Sequence, residues 1–166
     1  MDLEAEVEAL APRLLRYCLG RLGDRALAEE ASQEALTALV DSWRRHGPPD
    51  SPVAFAFSVA RRRAGRLAWR RRLMSPWDES VHDNGKVAAP DEVYAPRERL
   101  GRTVAALATL SVREREALLL VAVGELNTTD AARAQGVSRS AIKMRVHRAR
   151  RRILALLEES NDEQSV

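Results

Sequence analysis

At 166 residues with 45% apolar content, the chain can bury helical cores, and two small ones suit that length better than one. No apolar run approaches the roughly 20 residues of a membrane-spanning helix, and the single cysteine, Cys18, excludes an intramolecular disulfide framework. The formal net charge is only +3, yet acids collect at both ends and arginines in two interior segments, an asymmetry that points to a polyanionic partner.

The elements follow in chain order. Leu3, Val7, Leu10, Leu14, Leu15, Cys18 and Leu22 recur at helical spacing, with Pro12 as an expected boundary or kink. The N-terminal stretch lacks the basic-then-apolar order of a secretory signal, so a soluble cytoplasmic protein is expected. Cys18 falls on the apolar stripe and reads as a core residue. Gly23 breaks the pattern and Asp24 caps a second helix to about Trp43, burying Leu27, Ala31, Ala35, Leu39 and Trp43. Gly47-Pro48-Pro49 stops it. Ser51-Pro52 starts a third helix, with serine as cap and proline in the first helical position. One face of that helix carries Val53, Phe57, Ala60, Ala64 and Leu67; another carries Phe55, Val59, Arg62, Arg66 and Arg70.

Arg61, Arg62, Arg63, Arg66, Arg70, Arg71 and Arg72 crowd one helix end, where like charges repel unless an anion neutralises them. Phe55, Phe57 and Trp69 beside them, with Trp43 and His46 before, offer faces on which unpaired bases can stack. From residue 74 to 96 the prolines, Asn84, Gly85 and scattered acids leave no period, which predicts a flexible linker. Arg97 to Leu110 resumes a helix with Leu100, Val104 and Leu107 inward. Ser111 and Glu114 form a capping box for a helix over Val112–Val123, ended by Gly124.

Thr128 to Leu157 reads as two helices meeting at a glycine turn. Ala131 and Ala132 lie on the inner side of the first, Gly136 and Val137 turn the chain, and Ser138 caps the second. Six residues after the glycine, Ile142 pins the second helix against the first. This spacing is a helix-turn-helix signature. Ile142, Val146, Ala149, Ile153 and Leu156 form the inner stripe. Arg139, Ser140, Lys143 and Met144 lie off it, facing the floor of a major groove, while later arginines reach phosphates. An acidic tail, 159–166, closes the chain. There is no strand pattern and no repeat. Catalysis is not expected: the three histidines are scattered, and phosphate loops and metal-ligand spacings are missing from the sequence.

These segments, in this order, resemble an extracytoplasmic-function (ECF) sigma factor of bacterial RNA polymerase. LGDRALAEEASQEAL, Leu22 to Leu36, resembles family region 2.2; FAFSVARRRAGRLAWRRR, Phe55 to Arg72, resembles the helix that reads the minus-ten element. LSVREREALLLVAVGEL resembles the start of region 4, and GVSRSAIKMRVHRARRRI, with its VHRAR core, resembles the helix that reads the minus-thirty-five element. The resemblance implies an all-α fold: a region 2-like bundle over 1–73, the linker, and a region 4-like helix-turn-helix domain over 97–158.

It further implies docking of Glu30, Gln33 and Glu34 on the β′ clamp helices of core polymerase, and a region 4 contact with the β flap. Minus-ten contacts are expected from Phe55, Arg62, Arg63, Arg66 and Arg70. Upstream contacts are expected from Arg139, Ser140, Lys143, Met144, His147 and Arg148. The family also implies an anti-sigma factor as partner, no cofactor, no metal and no membrane insertion. The family usually has Trp at Phe55, Asn at Arg62 and Asp at Arg66, so here the minus-ten helix is more basic and lacks those polar base-reading groups. Two other readings compete: a sigma-like protein that binds an anti-sigma factor or polymerase without opening promoters, and a stand-alone helix-turn-helix regulator.

Overall fold

The computed structural model describes residues 2–74 and 105–163, all helix and short turns among those residues. Among the described residues the chain forms helices α1 (Leu3–Leu22), α2 (Arg25–His46), α3 (Pro52–Met74), α4 (Val112–Ala122), α5 (Thr128–Gln135) and α6 (Arg139–Glu163). Most of the expected linker, and the helix start with Leu100 and Val104, lie outside the described residues. Residues 105–108 are helical, and Leu107 packs on the core.

Local chemistry sets most boundaries. Asp2 and Asp24 accept from the backbone N–H groups of Glu4 and Leu27, which caps α1 and α2. The Ser51 hydroxyl accepts from the Ala54 N–H at the start of α3. Ser111 and Glu114 complete the reciprocal capping box of α4. Asn127, unanticipated as a cap, accepts from Thr129 and Asp130 at the start of α5.

Two expectations change. Pro12 neither ends nor splits α1, which continues through it. The proline sits on the exposed side, while Leu10 and Leu14 are wholly buried on either side of it, so packing carries the helix past one missing hydrogen bond. The acidic segment is not all tail: α6 continues to Glu163.

The first unit, α1–α3, buries Leu10, Leu14, Cys18, Ala31, Ala35, Leu39 and Phe57. The second, α4–α6, buries Leu120, Ala131, Ile142 and Ala149. Both expected helical units are present, and their interiors form one continuous apolar cluster rather than two cores. Helix α3 packs on α5, and α1 on α4. Phe57 sits at this junction, edge-on to Tyr17 with ring centroids 5.5 Å apart. A side chain at Gly124 would meet the Phe57 ring at 2.7 Å, so only glycine lets the α4–α5 turn come this close. The small residues of α5 do the same work on α3: Ala131, Ala132 and Ala134 are buried, and Arg61 donates to the Ala134 carbonyl at 3.2 Å.

Candidate nucleic-acid interface

Gly136 makes the sharp turn between α5 and α6 at φ +69°, and its N–H returns to the α5 carbonyls of Ala132 and Arg133. Ser138 then caps α6 by accepting from Ala141 N–H. Ile142, Val146 and Ala149 are buried. On the other side Arg139, Ser140, Lys143, Met144, His147 and Arg148 are all exposed, and their spacing places them along one stripe. No acidic side chain among the described residues pairs with Arg139, Lys143 or Arg148, and the stripe begins at the positive end of the helix dipole. Unmatched positive charge on a stripe over about three turns of helix suits a phosphate-rich groove. Arg145 belongs elsewhere: its guanidinium donates to Gln135 Oε1 at 2.8 Å, locking α6 to α5.

The arginines of α3 divide into two sets. Arg61, Arg63 and Arg71 are engaged within the protein. Arg63 reaches Glu30 and Glu34 at 2.6 Å each, and Arg71 donates to the Leu22 carbonyl. Arg62, Arg66 and Arg70 are exposed and lie at i, i+4 and i+8, one solvent-facing row. Arg62 and Arg66, with Gly65 and Trp69, line a shallow depression, and Trp69 is 65% exposed. The aromatics proposed for stacking separate in the same way. Phe57 is core, Phe55 and Trp43 are half-buried against it, and Trp69 and His46 present surface.

Glu30, Gln33 and Glu34 are exposed together on α2. The structure thus joins two predicted sites that the sequence kept apart, because Arg63 of α3 anchors two of these three side chains. Cys18 is a core residue, and burial pushes its thiol pKa up to about 12. Burial likewise raises the Tyr17 hydroxyl pKa, and it lowers that of Arg115, which also feels Arg21 and Arg72 nearby. No group of three or more candidate metal ligands occurs among the described residues.

One constellation escaped the sequence reading. Glu116, 6% exposed, receives Arg21 at 2.8 Å, Arg61 at 3.6 Å and the Gln135 amide at 3.2 Å. The available signal was an acid on the apolar stripe of α4, beside Ala117 and Leu120, which demands a buried cation.

Residues 7–73 match the family model for Sigma-70 region 2, and residues 100–153 match that for Sigma-70, region 4. The chain is 34% identical to the ECF RNA polymerase sigma factor ShbA of Streptomyces griseus subsp. griseus, over 95% of this chain and 87% of that protein. The chain belongs to the ECF RNA polymerase sigma factors. SigD of Mycobacterium tuberculosis, another ECF sigma factor, is 27% identical to it over 91% of this chain and 74% of its own length. Two solved structures share the fold of this sigma factor. One is the sigma factor RpoE of Bartonella quintana in complex with the anti-sigma factor NepR (TM-score 0.73, 23% identity, 93% of this chain and 96% of that one). The other is CnrH in complex with the cytosolic domain of CnrY (TM-score 0.68, 18% identity, 95% and 88%). This sigma factor therefore directs promoter recognition and transcription initiation by RNA polymerase, and its helix-turn-helix is the DNA-binding element of region 4. No helix among the described residues is long and apolar enough to cross a membrane.

Proposed function

We propose that this sigma factor reads the minus-thirty-five element with the α6 stripe and the minus-ten element with the exposed row of α3. Arg139, Ser140, Lys143 and Met144 face base edges; His147 and Arg148 lie further along the groove. Arg62, Arg66 and Arg70 hold phosphates of the downstream element, with Phe55 at the start of the same helix. Glu30, Gln33 and Glu34 dock on the β′ clamp helices of core polymerase, region 4 docks on the β flap, and Arg63 couples the clamp-facing acids to the DNA-facing helix. The protein works by binding rather than catalysis, in the cytoplasm, where promoter DNA is. The two solved neighbours were each captured with another protein, NepR or CnrY, and an anti-sigma factor is the matching partner here.

The observation that carries this reading is the unpaired cationic stripe of α6, opposite the buried Ile142, Val146 and Ala149 of the same helix. Run-off transcription with core polymerase tests it. Lys143→Ala or Arg139→Ala should cost about 1–3 kcal/mol on promoters with the preferred upstream base and little on others. A loss equal across all promoter sequences reassigns the residue to phosphate. Failure to form holoenzyme at all rejects the assignment of the docking surface.

A further inference from the structure

The strongest unexplained feature is the contact between the two units. Glu116 lies on α4 with its side chain 8% exposed, and Arg21, which pairs with it from α1, is 7% exposed. Two charges removed from water hold together only in good geometry with further hydrogen bonds. Here the Gln135 amide of α5 donates one to Glu116 at 3.2 Å, and Arg61 of α3 adds a second cation at 3.6 Å. Around this centre the pairing is charge-complementary. Arg13 donates to the Gly124 and Glu125 carbonyls at 2.9 and 3.2 Å, and Arg16 meets the Glu125 carboxylate at 2.9 Å. The Ser51 hydroxyl donates to Asp130 at 2.7 Å. Glu125 is the one non-glycine with positive φ (+56°) among the described residues, so the turn accepts backbone strain where the first unit grips it. The cations come from the first unit and the acids from the second.

This packing conflicts with two-element binding. Helix α3 lies against α5, and α5 against α6. Packed helices are about 8–10 Å apart, so α3 and α6 are within roughly 20 Å of each other. Elements centred near minus ten and minus thirty-five are separated by about 25 base pairs, on the order of 85 Å along the duplex at about 3.4 Å per pair. The chain from Met74 to Ala105 reaches on the order of 100 Å when fully extended, enough to permit that separation.

We propose that the packed arrangement is a self-closed, inactive state of this sigma factor, latched by Glu116 in the Arg21–Arg61 pocket. Promoter engagement breaks the latch and moves region 4 away from region 2. The latch also touches the reading helix, since Gln135 bonds both Glu116 and Arg145 of α6. The inference rests on α3 and α6 reading separate elements, as proposed above.

Spin labels at Thr37→Cys on α2 and Ala122→Cys on α4, both exposed, test it in the full chain, where buried Cys18 stays unlabelled. Pulsed dipolar spectroscopy should find one narrow distance in the free protein. Glu116→Gln keeps the shape and removes the charge. It should shift the open-to-closed ratio on the order of tenfold or more, and core polymerase should bind it correspondingly tighter. Arg21→Gln breaks the same pair from the other unit, so the result does not hang on one fold-sensitive position. The charge exchange Arg21→Glu with Glu116→Arg should restore closure. A broad distance distribution in the unaltered protein overturns the latch, as do unchanged distances in both single variants. If distances respond as stated but the upstream-base preference does not depend on α6, the latch stands and the reading assignment fails.

Discussion

Helices α3 and α6 both carry arginine clusters, yet one works largely inside the molecule and the other largely outside it. In α3, Arg61, Arg63 and Arg71 bind acids and carbonyls of neighbouring helices, leaving a narrow row at Arg62, Arg66 and Arg70. In α6, Arg145 alone is engaged in this way among the described residues. The reason is position. Helix α3 lies between α1 and α2 on one side and α5 on the other, whereas α6 packs on α4 and α5 through its buried stripe. A cluster of like charges therefore does not report how much of that charge a ligand can use. Its neighbours in space decide.

The difference can be sharpened first through stability. Phe57→Ala should cost about 3–5 kcal/mol, because that ring fills the junction between the units, and urea unfolding should show both units weakened together. Ile142→Ala should cost about 2–5 kcal/mol but loosen mainly the second unit, read as amide exchange rising in α5 and α6 more than in α1 and α2. Equal loss of protection in both units for Ile142→Ala would contradict the contrast drawn between α3 and α6.

A smaller effect is expected at the turn. Nothing lies within 4 Å of a Cβ built on Gly136, so Gly136→Ala meets no clash, and its cost is that of left-handed backbone alone, about 1–2 kcal/mol. Thermal unfolding with upstream-element binding at a permissive temperature checks this: stability falls while affinity of the folded protein holds.

The smallest effect separates the two sets of α3 arginines. Arg62→Ala should lower the slope of log affinity for promoter DNA against log salt by about 0.9, the value for one phosphate contact. Arg63→Ala should leave that slope unchanged and instead weaken core polymerase binding, since its partners are Glu30 and Glu34. A matching slope change in both variants would erase the distinction between free and engaged arginines.

The surface pattern of α6 is legible in the sequence. The α6 stripe followed from helical periodicity, because Ile142, Val146 and Ala149 name the inner side and leave Arg139 and Lys143 no other place than outside. The helix starts at Asp24, Ser51 and Ser111 followed from capping chemistry that acts over three residues. Pro12 misled because the local rule against proline within a helix competes with burial on both sides of it, and burial prevailed. The alanines of α5 looked thin in isolation; against α3 they are what allows close approach.

Sequence alone determined most helix starts, the glycine turn and the outward stripe of α6, since each depends on residues within a turn or two of one another. Only the tertiary structure decided which arginines remain free and that the two units close on each other. Arg21 and Glu116 are 95 residues apart along the chain, and no local periodicity can announce a partner at that distance. A buried carboxylate needs a cation, but where that cation comes from is settled by how the helices stack.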